Sequence, residues 1–235
     1  QVIEYEQTPL GMMNIQTRFI DGRLWTRTTD SILPNGNQTG AIWEEAEEPK
    51  FFGRSATLRW MVPIDDTHTL TIGWRFFSKR LDPRGHDDPE AVGKESIDFI
   101  GQTKDERAYT ERQRQPGDYE AQVSQRPIAI HDLENRASSD AGVARLRRLI
   151  RERIRALAAG EPVIHPELHG LDAVSTYTQD TVCEWRGDGI PDDERMRVQG
   201  RVVAKAVLET KTLAPAERER KVKELCDRFP VYRDA

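Results

Sequence analysis

The sequence predicts an α+β fold in which an antiparallel sheet is covered by one long amphipathic helix. Three observations carry this. Short runs of alternating apolar and polar residues fill the first third of the chain, with turn residues between them. Val143, Leu146, Leu149, Ile150, Ile154 and Leu157 then recur at three- and four-residue steps, so they share one helix face. Gly117 to Arg155 links the two parts. An acidic residue, Asp118, opens a short amphipathic segment, Pro127-Ile128 ends it, and the helix follows.

Residues 2–7, 12–20 and 23–33 read as successive strands. Thr8-Pro9-Leu10-Gly11 and Asp21-Gly22 separate them, and Asp-Gly suits the left-handed positions of a two-residue hairpin turn. A loop of Asn, Gly and Gln runs from Pro34 to Gly40, and Glu44 to Lys50 is a carboxylate-rich excursion that reads as a solvated loop. Leu58, Trp60, Val62 and Ile64 alternate with Thr57, Arg59 and Met61, and Leu70, Ile72, Trp74 and Phe76 alternate with Thr69, Thr71 and Arg75. Pro63 to His68 forms the hairpin tip between these two strands. The apolar, aromatic face that they share lines either a core or a ligand cavity, and Leu58, Trp60, Leu70, Ile72 and Trp74 are the candidates for such a cavity.

Residues 78–116 lack periodicity, and so long a loop in a compact domain is often functional. Ser138, Ser139 and Asp140 supply acceptors for the start of the long helix, and Gly160 supplies its stop. Full burial of its six aliphatic residues is worth roughly 9–18 kcal/mol gross. Arginines at 145, 147, 148, 151, 153 and 155 form its outer face, which reads as a solvated back. Glu161 to Gly189 is irregular, and 198–208 and 215–229 read as helices. The expected organisation is a domain over 1–160 and a helical appendage over 161–235, packed on the core, on a second domain or on a neighbouring subunit.

The chain has 235 residues and a formal net charge of −5, which disfavours a dedicated nucleic-acid partner. No apolar run has the length of a membrane span, and no signal segment opens the chain. Two cysteines far apart in sequence, Cys183 and Cys226, fit a reducing cytoplasm better than a disulfide scaffold. The chain opens on Gln1 rather than Met, so it is expected to continue upstream.

Several motifs fail on inspection. In His165-Pro166-Glu167-Leu168-His169, proline holds the position that the zinc-protease helix gives to glutamate. Gly93-Lys94-Glu95-Ser96 lacks the pattern of a phosphate loop, and neither cysteine has a histidine at metal-finger spacing. On the residues alone Asp118 reads as a helix N-cap, with metal ligation the alternative.

The run Asp118-Tyr-Glu-Ala-Gln-Val-Ser-Gln-Arg-Pro-Ile128, then Ser139-Asp140-Ala-Gly-Val143 and Leu146-Arg-Arg-Leu149, resembles the end of the catalytic domain of Rieske non-haem iron oxygenase α subunits. The likeness is to their phthalate and vanillate-demethylase-like branch, and Pro63-Ile-Asp-Asp-Thr-His68-Thr69 resembles that branch's hairpin between two sheet strands. The order of these motifs is kept over about residues 1–160. The resemblance implies a helix-grip fold, a curved antiparallel sheet gripping a helix with a cavity between. It implies that Asp118 is the carboxylate of a site in which two histidines and one carboxylate hold mononuclear Fe(II) and leave positions open for dioxygen and substrate. It further implies hydroxylation or O-demethylation of an aromatic compound in the cytoplasm, a Rieske [2Fe-2S] cluster, NAD(P)H through a partner reductase or ferredoxin, and a homotrimer.

The chain departs from the pattern at several points. Arg126 stands where the family has Gly before Pro-Ile, and Ile130-His131 replaces Asp-Arg. No pair of Cys-x-His type for the cluster occurs, nor a helical histidine pair ahead of the sheet. The chain is therefore expected to be the later part of a longer subunit, inactive alone. The alternative is a non-catalytic helix-grip module for an apolar small molecule, and the charged tail motivates a third reading as an interaction scaffold.

Overall fold

The computed structural model describes residues 1–86, 88–90 and 108–228, and of Asp118 the backbone alone. Eight strands form one antiparallel sheet: β1 (Val2–Thr8), β2 (Gly11–Ile20), β3 (Arg23–Ile32), β4 (Gly36–Thr39), β5 (Lys50–Arg54), β6 (Thr57–Pro63), β7 (Thr69–Arg75) and β8 (Gln179–Glu184). Among the described residues five α-helices accompany it: α1 (Tyr109–Arg114), α2 (Asp118–Val123), α3 (Ala141–Ala158), α4 (Asp193–Glu209) and α5 (Pro215–Asp227). Asp21 and Gly22 both take positive φ, 46° and 80°, so β2 and β3 are joined by the turn that their sequence specifies. No helix among the described residues is long and apolar enough to cross a membrane.

The far edge of β3 is shared. Its second half pairs with β4, which continues through β6 to β7, and its first half pairs with β8, which carries β5. The segment expected as a helical appendage thus supplies, in its described part, a strand of the sheet and two helices of the core. Residues 176–182 include Thr176, Thr178, Thr181 and Val182, a β-branched signal that the irregular polar surroundings mask.

The helix that covers the sheet is α4, not α3. Val203 and Val207 are fully buried against Met13, Ile15 and Tyr177, and Val222 of α5 completes the cluster. At Gly200 the helix comes so close to β2 that an added Cβ would lie 2.8 Å from Thr17 Oγ1. Asp192 caps α4 by accepting the Arg195 N–H at 2.8 Å, which starts the helix five residues earlier than its apolar pattern does. Helix α3 sits instead against β1 and β2 on the opposite face. Tyr5 Oη donates to Ser139 O at 2.5 Å, and a Cβ on Gly142 would collide with the Tyr5 ring at 2.0 Å. Only Gly142 and Leu149 of α3 are buried, and Val143, Ile154 and Leu157 are exposed, so the burial expected of six aliphatics is not reached.

Two buried acids tie the late segment into the sheet. Asp180 on β8 has no exposed surface and accepts from Trp25 Nε1 (2.7 Å), Arg27 Nε (2.7 Å), Arg27 Nη2 (3.2 Å) and Ala41 N (2.9 Å). Arg27 also donates to Ala41 O and lies over the Trp25 ring. Asp30, at the end of β3, accepts from Tyr177 N (2.6 Å), Thr178 N (2.9 Å) and Thr178 Oγ1 (3.1 Å). Arg218 of α5 is buried close to Asp30, stacked on Phe52 at 4.1 Å, and donates to Thr176 O and to Val207 O in the last turn of α4. Burial lowers its pKa to about 10, which leaves it charged at neutral pH.

Asp180→Ala leaves the Arg27 guanidinium buried without its acid. We expect a loss of about 3–5 kcal/mol by urea unfolding, against no more than about 0.5 kcal/mol for the exposed-site control Arg151→Ala. A loss below about 1 kcal/mol for Asp180→Ala would show that the clasp does not hold the sheet.

Burial raises the pKa of Asp30 above its ordinary 3.8, against the hydrogen bonds from Tyr177 and Thr178. The folded state then holds this proton more tightly than the unfolded one. The contribution of Asp30 to stability therefore falls as pH rises from its unfolded pKa through the raised value. Relative to wild type, Asp30→Asn should gain stability as pH rises through that window. Unfolding series at several pH values would reveal the opposite slope if the reasoning is wrong.

Candidate functional site

Strand pairing decides which side chains meet. Leu58 faces Trp74, Trp60 faces Ile72 and Val62 faces Leu70 across β6 and β7, so all six share one face. Through β4 and β3 this is the same face that carries Gln38, Asp30, Thr28, Ile15 and Met13 under α4 and α5. The helices stop short of its far end. Leu70, Ile72 and Trp74 are 49%, 53% and 62% exposed, while Leu58 and Trp60 are half-buried. The rings of Trp60 and Trp74 meet edge to face at 5.3 Å.

These residues form a contiguous apolar patch, and among the described residues no closed cavity stands over it. Beside the patch, where the covering helices begin, Phe52, Phe76, Phe77, Leu81 and Pro215 line an open groove of about 710 Å³, with Arg54 and Arg80 at its polar side. A body of this size and lining suits an apolar small molecule. Phe52, Phe76 and Phe77 were not among the sequence candidates, although the doublets Phe51-Phe52 and Phe76-Phe77 are a visible aromatic signal.

The second element of interest is α2. It begins at Asp118, whose backbone is its first turn, and Gly117 rather than Asp118 takes the capping position. Glu120 accepts the Gly117 N–H at 2.8 Å. The Asp118 side chain lies outside what is described, so its role as a ligand rests on the sequence. The chain then turns at Arg126, which has a φ of 73°, a backbone state that glycine adopts without strain. Arg126, Ala129, Ile130, Leu133, Val143 and Ala144 line a groove of about 510 Å³ between this turn and α3. Glu134 at its edge is held by two hydrogen bonds from Arg147, at 2.6 and 2.8 Å, and these keep its carboxyl below the usual range.

The described side chains do not by themselves make an iron site. Among them no group of three or more His, Cys, Asp or Glu stands close enough to hold a metal ion. His165 Nδ1 lies 3.3 Å from Glu167 N and His169 Nε2 lies 3.1 Å from Ile164 O, so both rings contact backbone. His68 is bound to Asp65 at the exposed hairpin tip. Three of the four carboxylates of the 44–48 excursion are committed too. Glu44 is buried against Ala46 N and Lys50, a departure from the solvated loop expected there, and Glu45 and Glu47 pair with Arg84.

No family model matches the chain. Over 147 residues, 62% of its length, it is 44% identical to the tert-butanol monooxygenase / tert-amyl alcohol desaturase oxygenase subunit of Aquincola tertiaricarbonis, of which the match covers 31%. Over 140 residues, 60% of its length, it is 29% identical to the phenoxybenzoate dioxygenase subunit alpha of Ectopseudomonas oleovorans, of which the match covers 30%. The chain is thus similar to subunits of oxygenases, and it spans about a third of the length of these relatives.

Arg126→Gly removes an exposed side chain from a left-handed position. We expect it to raise stability by about 1 kcal/mol, measured as a shift in urea midpoint. A destabilised variant would mean that the Arg126 side chain makes a contact that outweighs the backbone strain.

Proposed function

We propose that this chain is the later part of the catalytic subunit of a Rieske-type non-haem iron oxygenase, of the phthalate and vanillate-demethylase-like branch. The similarity to two oxygenase subunits carries the reading, above all the 44% identity over 147 residues. The reaction is incorporation of oxygen from O2 into a small molecule with an apolar body, as hydroxylation or O-demethylation. An aromatic substrate fits the exposed tryptophan pair and the phenylalanine groove. One relative is named for a tertiary alcohol, so the substrate class extends to compact aliphatic compounds.

In this proposal Asp118 is the single carboxylate ligand that residues 1–235 contribute to mononuclear Fe(II). The proposal takes the two imidazoles from residues outside 1–235. The sequence holds no Cys-x-His pair, so the Rieske cluster also belongs to residues outside it. Electrons arrive from NAD(P)H through a reductase or ferredoxin, and the subunit assembles as a homotrimer. In the longer protein the helix-grip arrangement puts a helix over the Leu58–Trp74 face and closes the cavity. Residues 1–160 carry the catalytic part of this scheme.

The exposed aromatic patch and its groove also favour a second reading, a module that holds an apolar ligand without reacting with it. Iron analysis separates the two. The longer protein should bind iron and turn over substrate, Asp118→Ala should lose most of both, and the 235-residue chain alone should be inactive. Undiminished iron and turnover in Asp118→Ala would exclude Asp118 as a ligand, and substrate oxidation by the 235-residue chain alone would exclude the reading of it as an incomplete part.

A further inference from the structure

Gln38 breaks the apolar row that the sheet presents to the aromatic groove. It sits on β4 between Asp30 of β3 and Leu58 of β6, and Leu58 in turn faces Trp74 of β7. Its side chain lines the groove of about 710 Å³ together with Phe52, Phe76 and Phe77. Gln38 is half-buried, and its Oε1 is buried without a hydrogen-bond partner among the described residues. A carbonyl oxygen that gives up water and gains no donor is costly, so an amide placed there calls for a donor from elsewhere.

The surrounding groups do not supply it. Across the ladder, Asp30 turns its Oδ2 to Tyr177 and Thr178, and its Oδ1 is a second buried acceptor without a partner. Arg80, on the same wall, is held by Glu219. Arg54, Ser55 and Ser78 also line the groove, and none of them donates to Gln38 Oε1. Arg54 is exposed, so its charge stays in water rather than in the groove.

We propose that Gln38 sets the substrate class of the groove: its amide oxygen accepts a hydrogen bond from a hydroxyl carried on an apolar body. This rests on the reading of the groove as the place where substrate sits. The phenylalanines grip the body and select its size and shape. A single acceptor among them then separates a phenol or alcohol from an ether or hydrocarbon of the same outline. An ether oxygen brought to that point meets Oε1 acceptor to acceptor, and a methyl group leaves Oε1 unpaired.

The test titrates the longer oxygenase subunit, kept free of dioxygen, with phenol, anisole and toluene by calorimetry. Phenol is the least apolar of the three, so burial alone ranks it last. The expected result is that phenol binds about 10-fold more tightly than anisole or toluene. Gln38→Leu, which removes the acceptor, should lose this preference while binding toluene as before. Phenol bound no more tightly than anisole by the wild type, absence of binding by all three, or a phenol preference that survives Gln38→Leu would overturn the inference. The wild-type ranking decides should Gln38→Leu fail to fold. Iron content and turnover of the same preparation test the oxygenase reading separately. An active, iron-loaded protein without the phenol preference would overturn the role of Gln38 alone, and a phenol preference in a protein that holds no iron would overturn the oxygenase reading alone.

Discussion

One carboxylate holds the architecture together. Asp180 sits inside the sheet where no water reaches it, and its two oxygens accept from a tryptophan, an arginine and a backbone amide. An ionised acid in such a place is tolerable only with partners of this kind, and Arg27 is nearly as buried. The pairing joins residues more than 150 positions apart. It binds β8 to β3 and fastens the 41–49 segment over Trp25 and Val182. Asp30 repeats the device at the other end of β3, taking three hydrogen bonds from Tyr177 and Thr178.

From that constraint the distribution of apolar surface follows. With β8 docked on the first half of β3, α4 lies over β1, β2 and β3 and α5 over β5, and the inner face is buried there. The second half of β3 leads away through β4 to β6 and β7, beyond the reach of these helices. Leu70, Ile72 and Trp74 of that outlying hairpin therefore face solvent, next to a groove walled by phenylalanines. An apolar surface so placed is costly for a free molecule. It is the surface on which the proposed function rests, as one wall of a substrate cavity that a longer chain would close.

Local patterns in the sequence were legible where chemistry is local. The Asp21-Gly22 turn, the pairing of Leu58 to Ile64 with Leu70 to Phe76, and the helical runs at 141–158 and 215–227 all follow from periodicity and turn residues. What could not be read was long-range. The apolar stripe of α3 is stronger than that of α4 by eye, yet α4 takes the core, because Gly200 allows a close approach to β2 and Asp192 extends the helix. Strand β8 is polar because its side chains serve Arg27, Thr28 and Trp25 inside the sheet, and such a strand has no hydrophobic signature. Arg126 is instructive in the other direction. A family pattern with Gly at that position points to a left-handed residue, and the backbone there is left-handed although the residue is arginine.

The functional account stands on where the proposed iron sits relative to α2. The most direct measurement is the anomalous scattering of iron in crystals of the longer oxygenase subunit. The account predicts one mononuclear iron bonded to a carboxylate oxygen of Asp118, with two imidazoles from residues outside 1–235. A mononuclear iron fully ligated by other residues, with Asp118 out of bonding distance, would contradict it.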